Sequence, residues 1–321
     1  MKVFITFDVE VWCGSWSELD QRFPSAFDRY CYGRSKAGDY ALPKTLEILN
    51  ANGLCGVFFV EPLFSARFGQ RWLDVMVQTI QSAGQDVQLH LHPEWTDEIS
   101  PAILPNSTSK RQDLTLYSEV EQSTLIAVGR RLLEAAKGSA VTAFRAGSFA
   151  ANLDTYRALR NNGIEIDSSL NAFYDYSAGS IQGVHDFVSC RLIEGVQTFP
   201  VTVLRDGFGR RRAAQLNGCT FGELRAALIN AERAGVRNFV IVSHNFEMLK
   251  PGSCDPDWVV VRRFEALCRF LSQHPDLFQV CRLPTSRQRD DENFPVAEHR
   301  PSVAPWLTAH RHFQQAVRRL G

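Results

Sequence analysis

The sequence predicts an α/β fold in which helices wrap a barrel-like parallel sheet. Short apolar runs rich in β-branched residues alternate with longer segments of helical periodicity, which is typical of parallel β/α units. A chain of 321 residues with 45% hydrophobic content can bury a barrel-sized core, in one domain or in two smaller ones. Three long connections, at 11–38, 93–112 and 205–219, follow predicted strands, as the loops on the active face of a barrel do.

The spacing of apolar residues predicts the individual elements. Strands are expected at 3–7, 55–60, 87–91, 141–144, 164–167, 198–204, 239–243 and 278–281. Helices are expected near 41–52, 70–83, 117–136, 152–162, 220–234 and 256–272. In the segment 117–136 a buried stripe is expected, formed by Val120, Leu125, Val128, Leu132 and Leu133.

The chain beyond Ser286 becomes charged and contains prolines, so we predict a barrel domain at 1–285 and a tail with a short amphipathic helix at 286–321. One face of that helix would carry Trp306, His310, Phe313, Val317 and Leu320, and the opposite side Arg311, Arg318 and Arg319. Such an apolar stripe predicts docking on its own domain or on a sister subunit, with a membrane surface as the less common alternative.

Composition excludes several classes of protein. Lys plus Arg equals Asp plus Glu, at 35 each, so no global charge attracts nucleic acid. The first apolar run is too short for a signal sequence and no later run is long enough for a membrane span, so we expect a cytoplasmic protein. The eight cysteines form no C-x-x-C pair, which favours buried reduced thiols over disulfides or zinc fingers. Nothing in the sequence predicts the oligomeric state.

Two pairs of polar side chains follow predicted strands. Asp8 and Glu10 are two residues apart, so they project to the same side of an extended chain, although solvated acids in a loop would give the same pattern. His90 and His92 share one side of the third strand in the same way, with Glu94 two residues further on. Imidazoles on a rigid strand together with a carboxylate suit a divalent ion such as zinc, although a lone His-x-His is often structural.

Three further polar residues lie at strand ends. Arg145 precedes a turn of small residues, Asp167 follows a short apolar run, and His244 ends a very apolar strand. Each has a structural alternative, respectively an ion-pair partner, an Asx turn and a satisfied core histidine.

The order of these motifs resembles the polysaccharide deacetylases, the carbohydrate esterases with the NodB homology domain. Residues 6–10 (Thr-Phe-Asp-Val-Glu) are similar to that family's Thr-Phe-Asp-Asp-Gly motif, and residues 84–90 to its Gly-His-Glu-Ile-Gly-x-His motif. Residues 144–149 are similar to Arg-x-Pro-Tyr, residues 165–169 to the Asp-containing fourth motif, and residues 242–244 to Leu-x-His. The resemblance covers roughly residues 1 to 285 and implies an irregular barrel of about seven β/α units.

The resemblance also implies roles for single residues. Asp8 would be the general base, His90 a metal ligand, Arg145 the group that orients the base, and His244 the general acid, itself oriented by Asp167. The implied reaction is metal-dependent removal of an N-acyl group, above all acetyl, from a sugar, with zinc as the expected ion.

The chain departs from the family pattern at two metal ligands. Val9 stands where the family has a second Asp, and Glu94 stands where it has a second metal His. We infer that Glu10 and His92 replace them, with Glu94 as a further candidate ligand. The variants Asp-Val-Glu-x-Trp and His-Leu-His-Pro resemble a bacterial subgroup associated with lipopolysaccharide or exopolysaccharide assembly.

Three other functions fit parts of the pattern. A urease-like metal amidohydrolase also uses a His-x-His strand, but there the pair ends the first strand, which here ends in Asp8 and Glu10. A glycoside hydrolase could use the carboxylates, but it would leave the histidines without a purpose. The two departures also allow a degenerate, non-catalytic sugar-binding protein of the same fold.

Overall fold

The computed structural model describes residues 1–105, 109–174, 181, 189–288 and 300–320. The chain divides into two compact units. The first consists of Met1–Gly56, Val201–Arg282 and Ala297–Gly321, and the second of Val57–Pro200 and Leu283–Val296.

Thirteen strands are described. In chain order they are β1 Lys2–Val9, β2 Arg34–Ser35, β3 Gly38–Asp39, β4 Val57–Val60, β5 Asp86–Leu91, β6 Ala143–Ala146, β7 Ile166–Asp167, β8 Arg191–Ile193, β9 Val196–Thr198, β10 Val203–Arg205, β11 Arg211–Ala213, β12 Asn238–His244 and β13 Gln279–Val280. The helices are α1 Leu19–Phe27, α2 Leu42–Ala51, α3 Leu63–Phe68, α4 Gln70–Ser82, α5 Glu119–Lys137, α6 Leu153–Asn161, α7 Phe221–Arg233, α8 Trp258–Ser272 and α9 Pro305–Leu320. Among the described residues, no helix has the length and apolar character needed to cross a membrane.

The first unit is organised around β1. This strand is buried from its second residue to its last and pairs in parallel with both β12 and β13. Burial on both faces explains why β1 and β12 are nearly continuous apolar runs rather than alternating ones. The register places Asp8 opposite His244, so the two strands present polar groups at adjacent carboxyl ends.

The second unit contains a run of parallel strands in the order β4, β5, β6, β7 and β9, with β8 antiparallel to β9. The register of β5 with β6 places His90 beside Arg145. Helices α5 and α6 both begin with a capping box, at Ser118 with Glu121 and at Asn152 with Thr155, which satisfies backbone N–H groups at each helix start. The β/α order predicted from the sequence is therefore confirmed.

The structure corrects the sequence prediction in several segments. The predicted strand 198–204 is interrupted: β9 ends at Thr198, and β10 forms a separate antiparallel hairpin with β11. Pro200 lies between them and has no N–H to donate to a sheet. The predicted loop 11–38 contains α1, a π-helical turn at Asp28–Tyr32 and the start of the β2–β3 hairpin.

The buried stripe of α5 also differs from the prediction. Val120 is 76% exposed, whereas Leu125 and Leu133 are buried as expected. Five residues separate Val120 from Leu125, which places them on different sides of a helix. The buried face consists of Gln122, Leu125, Ile126, Gly129 and Leu133.

Helix α9 exists as predicted, but Trp306 and Phe313 of its predicted apolar stripe do not dock on their own domain, and the side chains of Val317, Arg319 and Leu320 lie outside the described residues. Trp306 and Phe313 are 69% and 66% exposed, whereas Leu307, Thr308 and Arg311 are buried. The guanidinium of Arg311 donates from Nη1 to Oε1 of Glu223 at 2.7 Å and from Nη2 to Oδ2 of Asp206 at 2.8 Å. A cation with two carboxylate partners tolerates burial, so the side that carries Arg311 faces inward.

Candidate metal centre and active site

Asn245 fixes the chain at the end of β1. Its backbone N–H donates to the carbonyl of Asp8 at 3.2 Å, and its side chain accepts from the N–H of Glu10 and donates to the carbonyl of Glu10. The indole Nε1 of Trp12 donates to Oε2 of Glu10 at 2.6 Å. Asp8 and Glu10 are 2% and 6% exposed. The direction of the Glu10 carboxylate is therefore set by its neighbours before any ligand binds.

His244 is held by a carboxylate that the sequence analysis did not identify. Its Nδ1 lies 2.8 Å from Oε1 of Glu247, and Glu247 also accepts from the side chains of Gln215 and Ser243 and from the N–H of Asn217. Burial lowers the pKa of His244, but the hydrogen bond with Glu247 and the charges of Glu10, Glu247 and Asp8 outweigh it and raise the pKa to about 9. His244 is therefore protonated at neutral pH and carries a proton on each ring nitrogen.

Asp167, which the resemblance implied as the residue that orients His244, is bonded within its own unit. The Asp167 carboxylate is wholly buried and accepts from the Tyr156 hydroxyl at 2.9 Å, the Thr198 hydroxyl at 2.8 Å and the N–H of Ser169 at 2.9 Å. Burial raises the pKa of Asp167 even though these donors lower it. Asp167 ties β7 to β9 and α6, which is a structural role.

Replacing Glu247 with glutamine is expected to lower the pKa of His244 toward its ordinary value of 6.5, because the charged acceptor is lost. In the unmodified protein the interactions of protonated His244 stabilise the fold. This stabilisation is fully present below about pH 6.5 and is lost as pH rises toward 9. NMR titration of the imidazole resonances in chelator-treated Glu247→Gln measures the change. An unaltered His244 titration would refute the assigned contact.

His90 is arranged as a metal ligand through its second nitrogen. Its Nδ1 lies 2.8 Å from the carbonyl oxygen of Arg145, and a carbonyl can only accept, so Nδ1 carries the hydrogen. The lone pair is then on Nε2. Metal-binding histidines commonly donate their other N–H to a carbonyl or a carboxylate in this way.

His92 shows the same arrangement with a carboxylate partner. Its Nδ1 lies 3.2 Å from Oε2 and 3.3 Å from Oε1 of Glu94, and both residues are buried. The ring packs against Gly147, where a Cβ atom would lie 2.7 Å from the imidazole. The structure therefore places Glu94 as the partner of Nδ1 of His92, which differs from its expected role as a direct ligand.

Arg145 is wholly buried beside these histidines in its unit. Its Nε donates to the carbonyl of Ser168 at 3.1 Å, its Nη2 donates to the Ser168 hydroxyl at 2.9 Å, and its guanidinium lies 4.3 Å from the ring centre of Phe59. These contacts fix the guanidinium, and the carbonyl of the same residue positions His90.

Glu61 is a buried acid that the sequence analysis missed. It accepts from the N–H groups of Leu63 and Phe64, where α3 begins, and burial raises its pKa to about 8. The sequence did contain a signal for Glu61, because it directly follows Val60, the last residue of β4, and the other candidate residues also lie at strand ends.

His90 and His92, both in the second unit, have the arrangement of metal ligands. Two neutral imidazoles and a carboxylate are the donor set of many zinc and related sites, and they leave positions for water or substrate. Because each Nδ1 already has an acceptor, the nitrogens available for coordination are the two Nε2 atoms.

Comparisons with solved structures identify the fold. No family model and no curated protein matches the sequence. A crystal structure assigned to a polysaccharide deacetylase from Mycobacterium smegmatis is similar over 88% of this chain and 93% of its own, with a TM-score of 0.52 and 19% identity. This chain has the polysaccharide deacetylase fold. The predicted fold class, an irregular β/α barrel of the NodB type, is thereby confirmed.

Two more distant structures belong to the same group. A family 4 carbohydrate esterase from Streptomyces lividans, solved with acetate, matches 95% of this chain and 97% of its own at 13% identity and a TM-score of 0.41. A family 4 pseudoenzyme from Bacillus anthracis matches 55% of this chain and 45% of its own at 16% identity and a TM-score of 0.32.

Proposed function

We propose that this protein is a metal-dependent carbohydrate N-deacetylase. The observation that carries the proposal is the buried pair of His90 and His92, in which both histidines have Nδ1 bonded to an acceptor. Glu10 is the proposed third ligand. The deacetylase fold agrees with the proposal. We infer zinc as the ion, an N-acetylated sugar of a cell-surface polysaccharide or lipopolysaccharide as the substrate, and the cytoplasm as the location.

The chain's own residues would divide the hydrolysis between them. A bound divalent cation lowers the pKa of water and polarises the amide carbonyl. Asp8 takes a proton from the attacking water while the oxygen of that water bonds to the carbonyl carbon. Arg145 is the residue that orients Asp8. His244, protonated because its pKa is near 9, gives a proton to the amide nitrogen as the C–N bond breaks. The products are a carboxylate, acetate for an acetyl group, and the free sugar amine.

The proposal predicts that His90→Ala removes both bound metal and activity. Loss of one imidazole from a three-residue set takes away a primary ligand, so we expect metal content to fall below about a tenth of the unmodified level. Metal analysis of the purified protein measures the first effect, and acetate release from N-acetylglucosamine oligomers measures the second.

His274→Ala is the matched control, since His274 has the same kind of Nδ1 bond to a carbonyl but is not one of the proposed ligands. Full metal content and activity in His90→Ala would contradict the proposed site.

A non-catalytic sugar-binding protein is the second candidate, because Val9 and Glu94 depart from the family pattern at two metal-ligand positions. Glycan binding by a metal-free protein that releases no acetate would favour that candidate.

A further inference from the structure

Helix α9 presents aromatic side chains to solvent. Trp306 and Phe313 are seven residues apart, two helical turns, so they lie on the same side of the helix, and both are about two-thirds exposed. Arg311 on the opposite side is fixed by Glu223 and Asp206. Rotating the helix to bury the two aromatics would break both ion pairs, so this exposure is built into the fold.

A cavity of about 690 Å³ adjoins that side of α9, between α7, α8 and α9. Phe221, Ile229, Val259 and Trp306 contribute apolar walls. The charged residues that line it are basic: Arg225, Arg262 and Arg263, and no Asp or Glu is among the described lining residues. A cavity of this size can hold part of a small amphiphile, and the positive charge of the lining arginines favours an anionic one.

Arg263 is the buried member of the three arginines. It is 3% exposed, and its guanidinium donates only to neutral oxygens, namely Oε1 of Gln314 and the backbone carbonyls of Leu216 and Asn217. Within the part of the chain that the structure describes, no carboxylate pairs with Arg225, Arg262 or Arg263. Burial lowers the pKa of Arg263 to about 10 and the charge of Arg318 lowers it as well, while Cys219, Asp257 and Glu223 act in the opposite direction. An anion in the cavity would further offset the burial of this cation.

We propose that the cavity and the exposed side of α9 form a docking site for an anionic phospholipid bilayer. A lipid phosphate would lie against Arg225, Arg262 and Arg263, and Trp306 and Phe313 would enter the headgroup layer. Basic residues next to aromatic ones are the pattern by which a protein lies on an anionic membrane. A symmetric dimer through this side would instead bring the arginines of two copies together. The proposal goes beyond the proposed hydrolysis and does not depend on it.

The test is sedimentation of the full-length protein with vesicles of phosphatidylcholine alone or mixed with phosphatidylglycerol. We expect binding only to the mixed vesicles, and weaker binding at high salt. Arg262→Glu should weaken the partition constant at least about fivefold, since each membrane-proximal arginine contributes about 1 kcal/mol. The double variant Trp306→Ser, Phe313→Ser should weaken it at least about fivefold as well, because it removes the aromatic groups that enter the headgroup layer.

Arg71→Glu and Leu116→Ser are matched controls, because both residues are exposed and belong to the other unit. Circular dichroism and thermal unfolding establish that each variant is folded. Equal binding to both kinds of vesicle, no binding, or equal losses in the control variants would each overturn the proposal. The proposal would also fail if the protein bound no vesicles and formed a dimer in light scattering that Trp306→Ser abolished. It would fail as well if the site bound inorganic phosphate alone and no vesicles.

Discussion

An Asp8→Asn variant is expected to keep its fold and its metal and to lose at least about 100-fold in kcat. Asparagine has nearly the shape of aspartate but does not take up a proton from water. The contacts that Asn245 makes to the backbone at Asp8 and Glu10 do not involve the Asp8 side chain, so the strand end should be unchanged. KM should change little, because the substitution removes a group that acts in the transition state.

The measurement is acetate release from N-acetylglucosamine oligomers, together with the metal content of each preparation. Asp86→Asn is the control, since Asp86 begins β5 and accepts from the side chain of Gln88, away from the strand end that carries the histidines. If Asp8→Asn lost its metal, Asp8 would be a ligand and not a base. If it kept its turnover, the general base would be another residue.

The strand-end residues were predictable because one rule places them. In a parallel sheet the carboxyl ends of the strands lie at the same edge, so polar residues that follow apolar runs are gathered there. Asp8, His90 and His244 satisfy that rule directly. Glu10 and His92 were inferred as replacements for missing family ligands, and their role as ligands stays a prediction. The structure shows what holds each of them, Trp12 and Asn245 for Glu10 and Glu94 for His92.

The partners of these residues were less predictable. Glu247 and Asp167 are both acids near a strand end, and only the turn after β12 brings the Glu247 carboxylate to His244. Glu94 is two residues from His92, a spacing that suits a second ligand as well as a partner for Nδ1. Choosing between such alternatives requires the direction of each side chain. Residue spacing gives only the face of the strand on which a side chain lies.

The orientation of α9 could not be read from its own pattern for a related reason. An apolar stripe normally predicts the buried side of a helix. Here the partners of Arg311 are 88 and 105 residues away along the chain, and their combined attraction decides which side faces inward. Nothing within the helix segment identifies either partner.

Arg311→Ala is therefore expected to reduce the free energy of unfolding by about 3–5 kcal/mol at neutral pH. The substitution leaves Glu223 and Asp206 buried without their cation. Glu223 also accepts from the N–H of Thr220 in the cap of α7, so the loss should extend to the start of that helix. Urea denaturation followed by circular dichroism measures the change, and Arg311→Lys should lose less because one cation remains.

The pH dependence separates an unpaired-charge effect from simple loss of packing. Burial by itself raises the pKa of Asp206, and the hydrogen bond from Arg311 helps to bring it below its ordinary value. The native pair thus stabilises the fold above the unfolded-state pKa of about 3.9, and that contribution fades as pH falls further. In Arg311→Ala the buried Asp206 carboxyl loses the hydrogen bond that lowers its pKa and takes up a proton at higher pH, so the stability difference between the two proteins should shrink between pH 7 and pH 5. A difference that stays constant over that range would indicate lost packing. Arg22→Ala, which removes an exposed pair with Glu18, should cost only about 0–1 kcal/mol at either pH.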